Sequence, residues 1–189
     1  MDKDERIAWE CTRTASGPDL TLFHARFDWM RNPRNGHTVK ATVLEAPDWV
    51  NVVALTPRET LLVVQQYRFG NRQVTTELPA GIVEPGEAPQ AAAARELEEE
   101  TGYTSQAWQY LGYVATNPAF LDNRCHHWLA RDVTQTSSPA LDEGENLVVC
   151  EMRLEQVLQE IAQGRFRNAL SFVGLTQVFD LRGALAESP

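Results

Sequence analysis

Apolar and polar positions along the chain change rhythm near its middle, and that change outlines the fold. Up to residue 67, runs rich in Val, Leu, Thr and aromatics predict strands over 20–27, 40–44, 50–55 and 61–67. Turn chemistry separates them. Asn32-Pro33-Arg34-Asn35-Gly36 is a dense turn signal, and Thr56-Pro57-Arg58-Glu59 reads as a hairpin connection. From Pro89 to Thr101 the pattern turns helical, with Ala91 to Ala94 leading into Arg95-Glu96-Leu97-Glu98-Glu99-Glu100, and Gly102 stands where a C-terminal cap belongs. Extended patterns return over 108–115, 126–130 and 147–152, broken by Asn117-Pro118 and by the loop from Ser137 to Asn146. Two helices close the chain. Leu154, Val157, Leu158 and Ile161 follow the i, i+3, i+4, i+7 rule and stop at Gly164, and a second helix is expected from about Ala169 to Leu185. Strands, one central helix, more strands and terminal helices indicate an α+β layered domain with a mixed sheet. Residues 1–42 precede that core as a separate small β region.

Composition narrows the class. A chain of 189 residues with 43% hydrophobic and 23% charged residues fits an ordinary globular domain that needs neither disulfides nor a structural metal to hold its core. No apolar run approaches the ~20 residues that span a bilayer, and Met1-Asp2-Lys3-Asp4-Glu5-Arg6 is charged where a signal peptide needs an apolar stretch. A cytoplasmic protein with no membrane partner is therefore expected. Cys11, Cys125 and Cys150 are odd in number and show no C-x-x-C pattern, which reads as reduced, buried thiols. Lys and Arg total 17 against 26 Asp and Glu, a net charge of −9, so binding to nucleic acid through a basic surface is not expected. An acidic protein can still bind a phosphorylated small molecule if it recruits convergent arginines or metal ions to offset the repulsion.

The chemistry concentrates between Gly81 and Tyr103. On a helix, Glu96, Glu99 and Glu100 are i, i+3 and i+4, so three carboxylates project from one face within about a turn. Glutamate runs are ordinarily solvated helix faces. Held this close, however, like charges are also suited to divalent cations, and hard ions such as Mg²⁺ take carboxylate oxygens. Gly81 and Gly86 free the preceding loop to fold over the helix and aim a main-chain carbonyl, that of Ala80, at the same metal. Arg95 can tie Glu87 to the helix through a charge-assisted pair.

Written out, the segment is G-x5-E-x7-R-E-U-x-E-E-x-G-U, with U apolar or aromatic, and it matches at every fixed position. Average composition gives such a match by chance at ~10⁻⁷ or less. The segment resembles the signature of the Nudix hydrolases. That resemblance implies an α/β/α sandwich with a mixed sheet over residues 43–189, beside a small N-terminal β-sheet. It implies that Glu96, Glu99 and Glu100 bind metal, with Glu99 among the catalytic residues, and that Arg95 and Glu87 form the structural pair. Mg²⁺ is the implied cofactor, with Mn²⁺ as a substitute. In the branch most similar to this chain the general base comes from a glutamate on a late loop, and Leu141-Asp142-Glu143-Gly144-Glu145-Asn146 fits, with Glu143 slightly favoured over Glu145.

The flanks point to a substrate class. Val64-Gln65-Gln66-Tyr67-Arg68 followed by Glu77-Leu78-Pro79-Ala80-Gly81 resembles the ADP-ribose and nucleoside diphosphate sugar pyrophosphatase branch, and Pro118 lies 15 residues after Tyr103, where that branch carries a marker proline. The resemblance makes Arg68 a candidate for the diphosphate or for the carboxylate network, with Glu77 holding it. The sequence departs from the branch at Asn117-Pro118-Ala119-Phe120-Leu121-Asp122-Asn123-Arg124, which weakens ADP-ribose as the sole substrate, while Arg124 adds a charge for a phosphate. Trp29, in the aromatic and basic stretch Phe27-Asp28-Trp29-Met30-Arg31, and Trp49 are candidates to stack on a base. Similar enzymes exchange the N-terminal sheet across a dimer, so a homodimer is expected. The reading is a metal-dependent hydrolase of a nucleoside diphosphate sugar, ADP-ribose or a hexose-linked nucleotide such as GDP-mannose, yielding a nucleoside monophosphate and a sugar phosphate. A nucleoside triphosphate sanitising enzyme and a non-catalytic nucleotide-sugar sensor are the alternatives.

Overall fold

The computed structural model describes residues 6–181. Its contacts divide the chain into two compact units. One runs to Pro47 and takes in Ala115–Arg124, and the other comprises Asp48–Val114 and the chain from Cys125 onward. A cut at residue 42 would split a strand, Thr38–Glu45, and would leave out residues 115–124, which Leu44 draws in by donating its N–H to Phe120 at 2.7 Å.

The first unit is a three-stranded antiparallel sheet, ordered β1 (Glu10–Asp19), β2 (His24–Arg31), β3 (Thr38–Glu45). The strand expected over 20–27 straddles a turn instead: Leu20 donates to Phe23 at 2.8 Å, and Asp19 accepts from the Thr21 N–H. Strand β1 escaped the pattern because it is exposed along nearly all its length and carries no apolar alternation. On one sheet face Arg13 lies 4.3 Å from the Trp29 ring centre and Lys40 lies 3.7 Å from that of Phe27. Asp28, on the opposite side of β2, is buried and accepts from Thr14 and Arg26.

The second unit is built on a seven-stranded sheet. Its main path is β12 (Leu147–Met152), β5 (Leu61–Arg68), β4 (Trp49–Leu55), β10 (Arg124–Arg131), β9 (Ala107–Ala115), with β6 (Gln73–Glu77) on β5 and β7 (Ala80–Ile82) on β4. Pairing of β4 with β10 is parallel and with β5 antiparallel, so the sheet is mixed. A small ribbon joins β8 (Tyr103–Thr104) to β11 (Thr134–Gln135).

Alternation along the central strands sends their side chains to two cores. Val50, Val52, Ala54, Leu62, Trp128 and Ala130 meet Ala92, Ala93 and Leu97 of helix α1 (Pro89–Thr101). Val53, Leu55, Leu61, Val63 and Leu129 face Val157 of α2 (Leu154–Ala162) and Leu175 of α3 (Ala169–Val178). A sheet apolar on both faces must be covered on both, and the result is an α/β/α sandwich. Helix α3 is shorter than its periodicity predicts. Phe179 turns extended at φ −122°, ψ 146° and packs with Leu181 into the second core, and residues 182–185 of the expected helix lie outside the described residues. The three cysteines are free, but only Cys125 is buried, and Cys11 on β1 is exposed.

Candidate active site

Helix α1 starts with Pro89 in its first turn, where a missing N–H costs nothing, and ends at Gly102, whose N–H bonds the Glu98 carbonyl and whose φ of 75° turns the chain out of the helix. One stripe of the helix buries Ala92, Glu96 and Glu100, leaving Glu96 9% and Glu100 3% exposed, while Glu99 is half-exposed. Burial of Glu96 is possible only because residue 81 has no side chain: a Cβ there would stand 1.9 Å from the Glu96 carboxyl carbon. The β7 backbone thus lies directly on the carboxylate. Glu100 accepts a hydrogen bond from the Ala80 N–H at 3.0 Å. It is the amide of Ala80 that meets the helix carboxylates, and this bond aligns Glu100.

Arg95 binds the loop to the helix. Its Nε and Nη2 donate to the two Glu87 oxygens at 3.1 and 3.0 Å, Nη2 also to the Ile82 carbonyl at 2.9 Å, and Nη1 to Glu96 and Glu99 at 2.8 and 2.9 Å. Five bonds use the full fork of the guanidinium. Hydrogen bonding to Arg95 holds the Glu87 carboxyl below the usual carboxylate range. Desolvation pushes Glu96 up, and it pushes Glu100 up to about 8, with the neighbouring Glu96 and Glu145 charges adding to the effect.

Arg68, like Arg95, is held by a buried or half-buried carboxylate. Its Nε and Nη2 grip the buried Glu77 carboxylate at 3.0 and 2.6 Å, and burial of Glu77, 1% exposed, makes the pair a fixed one. Asn168, which sequence reading did not single out, donates Nδ2 to the same carboxylate at 2.8 Å. The charges of Glu100 and Glu145 are felt at Arg68, so the guanidinium, the helix carboxylates and the late loop share one electrostatic environment.

Of the two loop glutamates, Glu145 is the one whose charge reaches Glu96, Glu100 and Arg68. Both are exposed, and Glu145 closes a turn with Asp142, accepting its N–H at 3.1 Å. Trp49 is half-buried on β4, paired in register with Ile82 and Cys125. Trp29, Pro118 and Arg124 belong to the first unit. His126 bonds Asp48 at 3.1 Å and Tyr110 at 2.9 Å, whereas His127 is fully buried with both ring nitrogens unpartnered by protein atoms.

The donor set around Glu96, Glu99 and Glu100 is all oxygen, partly desolvated and in excess negative charge, which suits a hard divalent cation such as Mg²⁺ or Mn²⁺. Among the described residues no three His, Cys, Asp or Glu side chains are gathered as arranged into a metal cage. Arg95 instead lies against Glu96 and Glu99, and those two carboxylates must turn from it to share an ion.

A two-faced mixed sheet, a glutamate-bearing helix pressed under a glycine and an arginine-clamped loop thus come together in the second unit. The NUDIX domain model matches residues 47–171. The chain is 36% identical over 152 residues to a methanol dehydrogenase activator of Bacillus methanolicus, covering 80% of this chain and 82% of that one. It is 34% identical over 153 residues to an ADP-ribose pyrophosphatase of Bacillus subtilis, covering 80% and 76%. A crystal structure of an ADP compounds hydrolase superposes with a TM-score of 0.78 at 21% identity over 90% of this chain and 91% of the other, which is a likeness of fold. The chain belongs to the Nudix family and is a Nudix hydrolase of the branch that holds the ADP-ribose pyrophosphatases.

Proposed function

We propose that the protein hydrolyses the diphosphate of ADP-ribose or of a related nucleoside diphosphate sugar, with Mg²⁺ or Mn²⁺, to a nucleoside monophosphate and a sugar phosphate. The observation that carries this is the Arg68–Glu77 pair: a cation held bidentately by a buried carboxylate and sensing Glu100 and Glu145 is built to receive a diphosphate beside the helix carboxylates. The Bacillus subtilis relative, named for ADP-ribose, favours that substrate over a hexose-linked nucleotide such as GDP-mannose.

Glu96, Glu99 and Glu100 would hold the cation. When bound, it supplies charge neutralisation for the diphosphate and acidity for a water molecule. Arg68 takes a diphosphate oxygen, Arg95 and Glu87 keep the loop on the helix, and Ala80 orients Glu100 through its N–H, while its carbonyl would add an oxygen for the ion. Glu145 accepts the proton of the attacking water; its coupling to Glu96, Glu100 and Arg68 supports it over Glu143. Trp49 and a second chain's Trp29 serve the base in a homodimer, with Pro118 and Arg124 contributing to the substrate side. The test is phosphate release coupled to alkaline phosphatase on ADP-ribose, GDP-mannose and dGTP, beside Glu99→Gln and Glu100→Gln. Turnover of ADP-ribose that both variants lose supports the reading; turnover of dGTP alone overturns it.

A further inference from the structure

We propose that Asn168 is a positioning residue for Arg68, acting through Glu77, so that the first turn of α3 sets the affinity for the diphosphate. This rests on the reading above that Arg68 meets the diphosphate.

Asn168 is the N-cap of α3, and its Oδ1 accepts the N–H groups of Leu170 and Ser171 at 2.9 and 3.1 Å. Capping needs only that oxygen, and serine, threonine or aspartate would supply it equally well. Asparagine alone among them has a second, donating arm. Here that arm is used: Nδ2 reaches Glu77 Oε2 at 2.8 Å, on the oxygen that also takes Arg68 Nη2 at 2.6 Å. The two helix N–H groups fix which way the amide faces, since the flipped rotamer would set Oδ1 against the carboxylate and Nδ2 against two donors. The neighbouring residue repeats the connection, because the Leu78 N–H donates to Ser171 Oγ at 3.1 Å. Two successive residues of the segment that carries Glu77 are thereby anchored to the start of α3.

The consequence falls on Arg68. Its side chain is 42% exposed and long, and the Glu77 carboxylate is its one bidentate hold. A carboxylate bonded from a second direction cannot rotate in its pocket, so the fork it offers stays aligned and the guanidinium stays aimed. Without the Asn168 donor, the Glu77 carboxylate, 1% exposed, keeps Arg68 as its one ion-pair partner among the described residues, on a side chain 42% exposed. Both then gain freedom.

The discriminating change is Asn168→Ser, which keeps the cap and drops the donor, with Arg68→Gln and the double variant completing a cycle. Two readouts are taken: KM and kcat for ADP-ribose with Mg²⁺, and hydrogen exchange of the Arg68 Nε–H by NMR. For Asn168→Ser the expectation is faster Nε–H exchange and a KM raised about 10-fold with kcat within about 2-fold, the size of one hydrogen bond to a charged group. In the Arg68→Gln background the same change should leave KM where it is. Unchanged exchange in Asn168→Ser, or an equal rise in KM with and without Arg68, overturns the positioning role and makes Asn168 a cap alone. Faster exchange with KM unmoved in both single variants keeps the positioning and overturns the assignment of Arg68 to the diphosphate, so the two failures differ.

Discussion

At Gly81 a hydrogen atom in place of a side chain leaves the room that the Glu96 carboxylate occupies. Replacement by alanine would put a methyl group 1.9 Å from the Glu96 carboxyl carbon, so Glu96 must leave its place against β7. Gly81→Ala should lower kcat about 100-fold, the usual scale for displacing a site group by an ångström, with an unchanged circular dichroism spectrum. His127 makes a different residue-scale prediction. Burial, with a smaller effect from His126, lowers its pKa to about 4, while the unfolded chain keeps a value near 6.5. A depressed folded pKa means that the unfolded state binds the proton first. Stability is therefore full above pH 6.5 and is lost as pH falls towards 4, by roughly 3 kcal/mol at most. Urea unfolding from pH 7.5 to 4 should show that loss, and a His127→Gln variant should show a shallower slope.

Among the elements, α1 was legible almost to the residue, because alanine-rich propensity, Pro at the start and Gly at the end agree with one another and with its packing. Its C-terminus can be tested. Gly102 has φ 75°, and a Cβ on it would lie 2.3 Å from the Ser137 carbonyl oxygen, so Gly102→Ala combines left-handed strain with a backbone clash. A loss of roughly 2 kcal/mol, or about 4–8 °C in Tm, is expected by calorimetry. Strands β6 and β7 were not legible: at five and three residues they carry too little pattern, and they exist because β5 and β4 offer edges to pair with. The end of α3 was misread for a related reason, since Phe179 and Leu181 continue the apolar rhythm while their backbone has already left the helix to fill the second core.

For the whole molecule, the first unit raises the question of oligomeric state. Three strands stand alone only with an apolar face to cover, and this unit exposes Trp9, Leu20, Leu22 and Val39. The proposed homodimer predicts sedimentation at micromolar concentration as a single species of twice the chain mass, and a monomer alone would sink it. The second whole-molecule prediction concerns metal. An ion that binds only the folded chain stabilises it by mass action, so millimolar Mg²⁺ should raise Tm, EDTA should reverse the rise, and Glu100→Gln should diminish it.

The spacing of Glu96, Glu99 and Glu100, the clamp partners Arg95 and Glu87, and the alternation that buries β4, β5 and β10 on both faces were all determined by the sequence, because helix and strand periods are local geometry. Which carboxylates are desolvated was not. Burial of Glu96 and Glu100 depends on β7 lying across α1, a contact between segments about 15–20 residues apart. The partnership of Arg68, Glu77 and Asn168 spans about 100 residues of chain. No local pattern announces it, since an asparagine capping a helix reads the same whether its second arm meets water or a buried carboxylate. Tertiary structure decided that, by bringing the start of α3 against the end of β6, where leaving Glu77 without donors would cost more than ordering them.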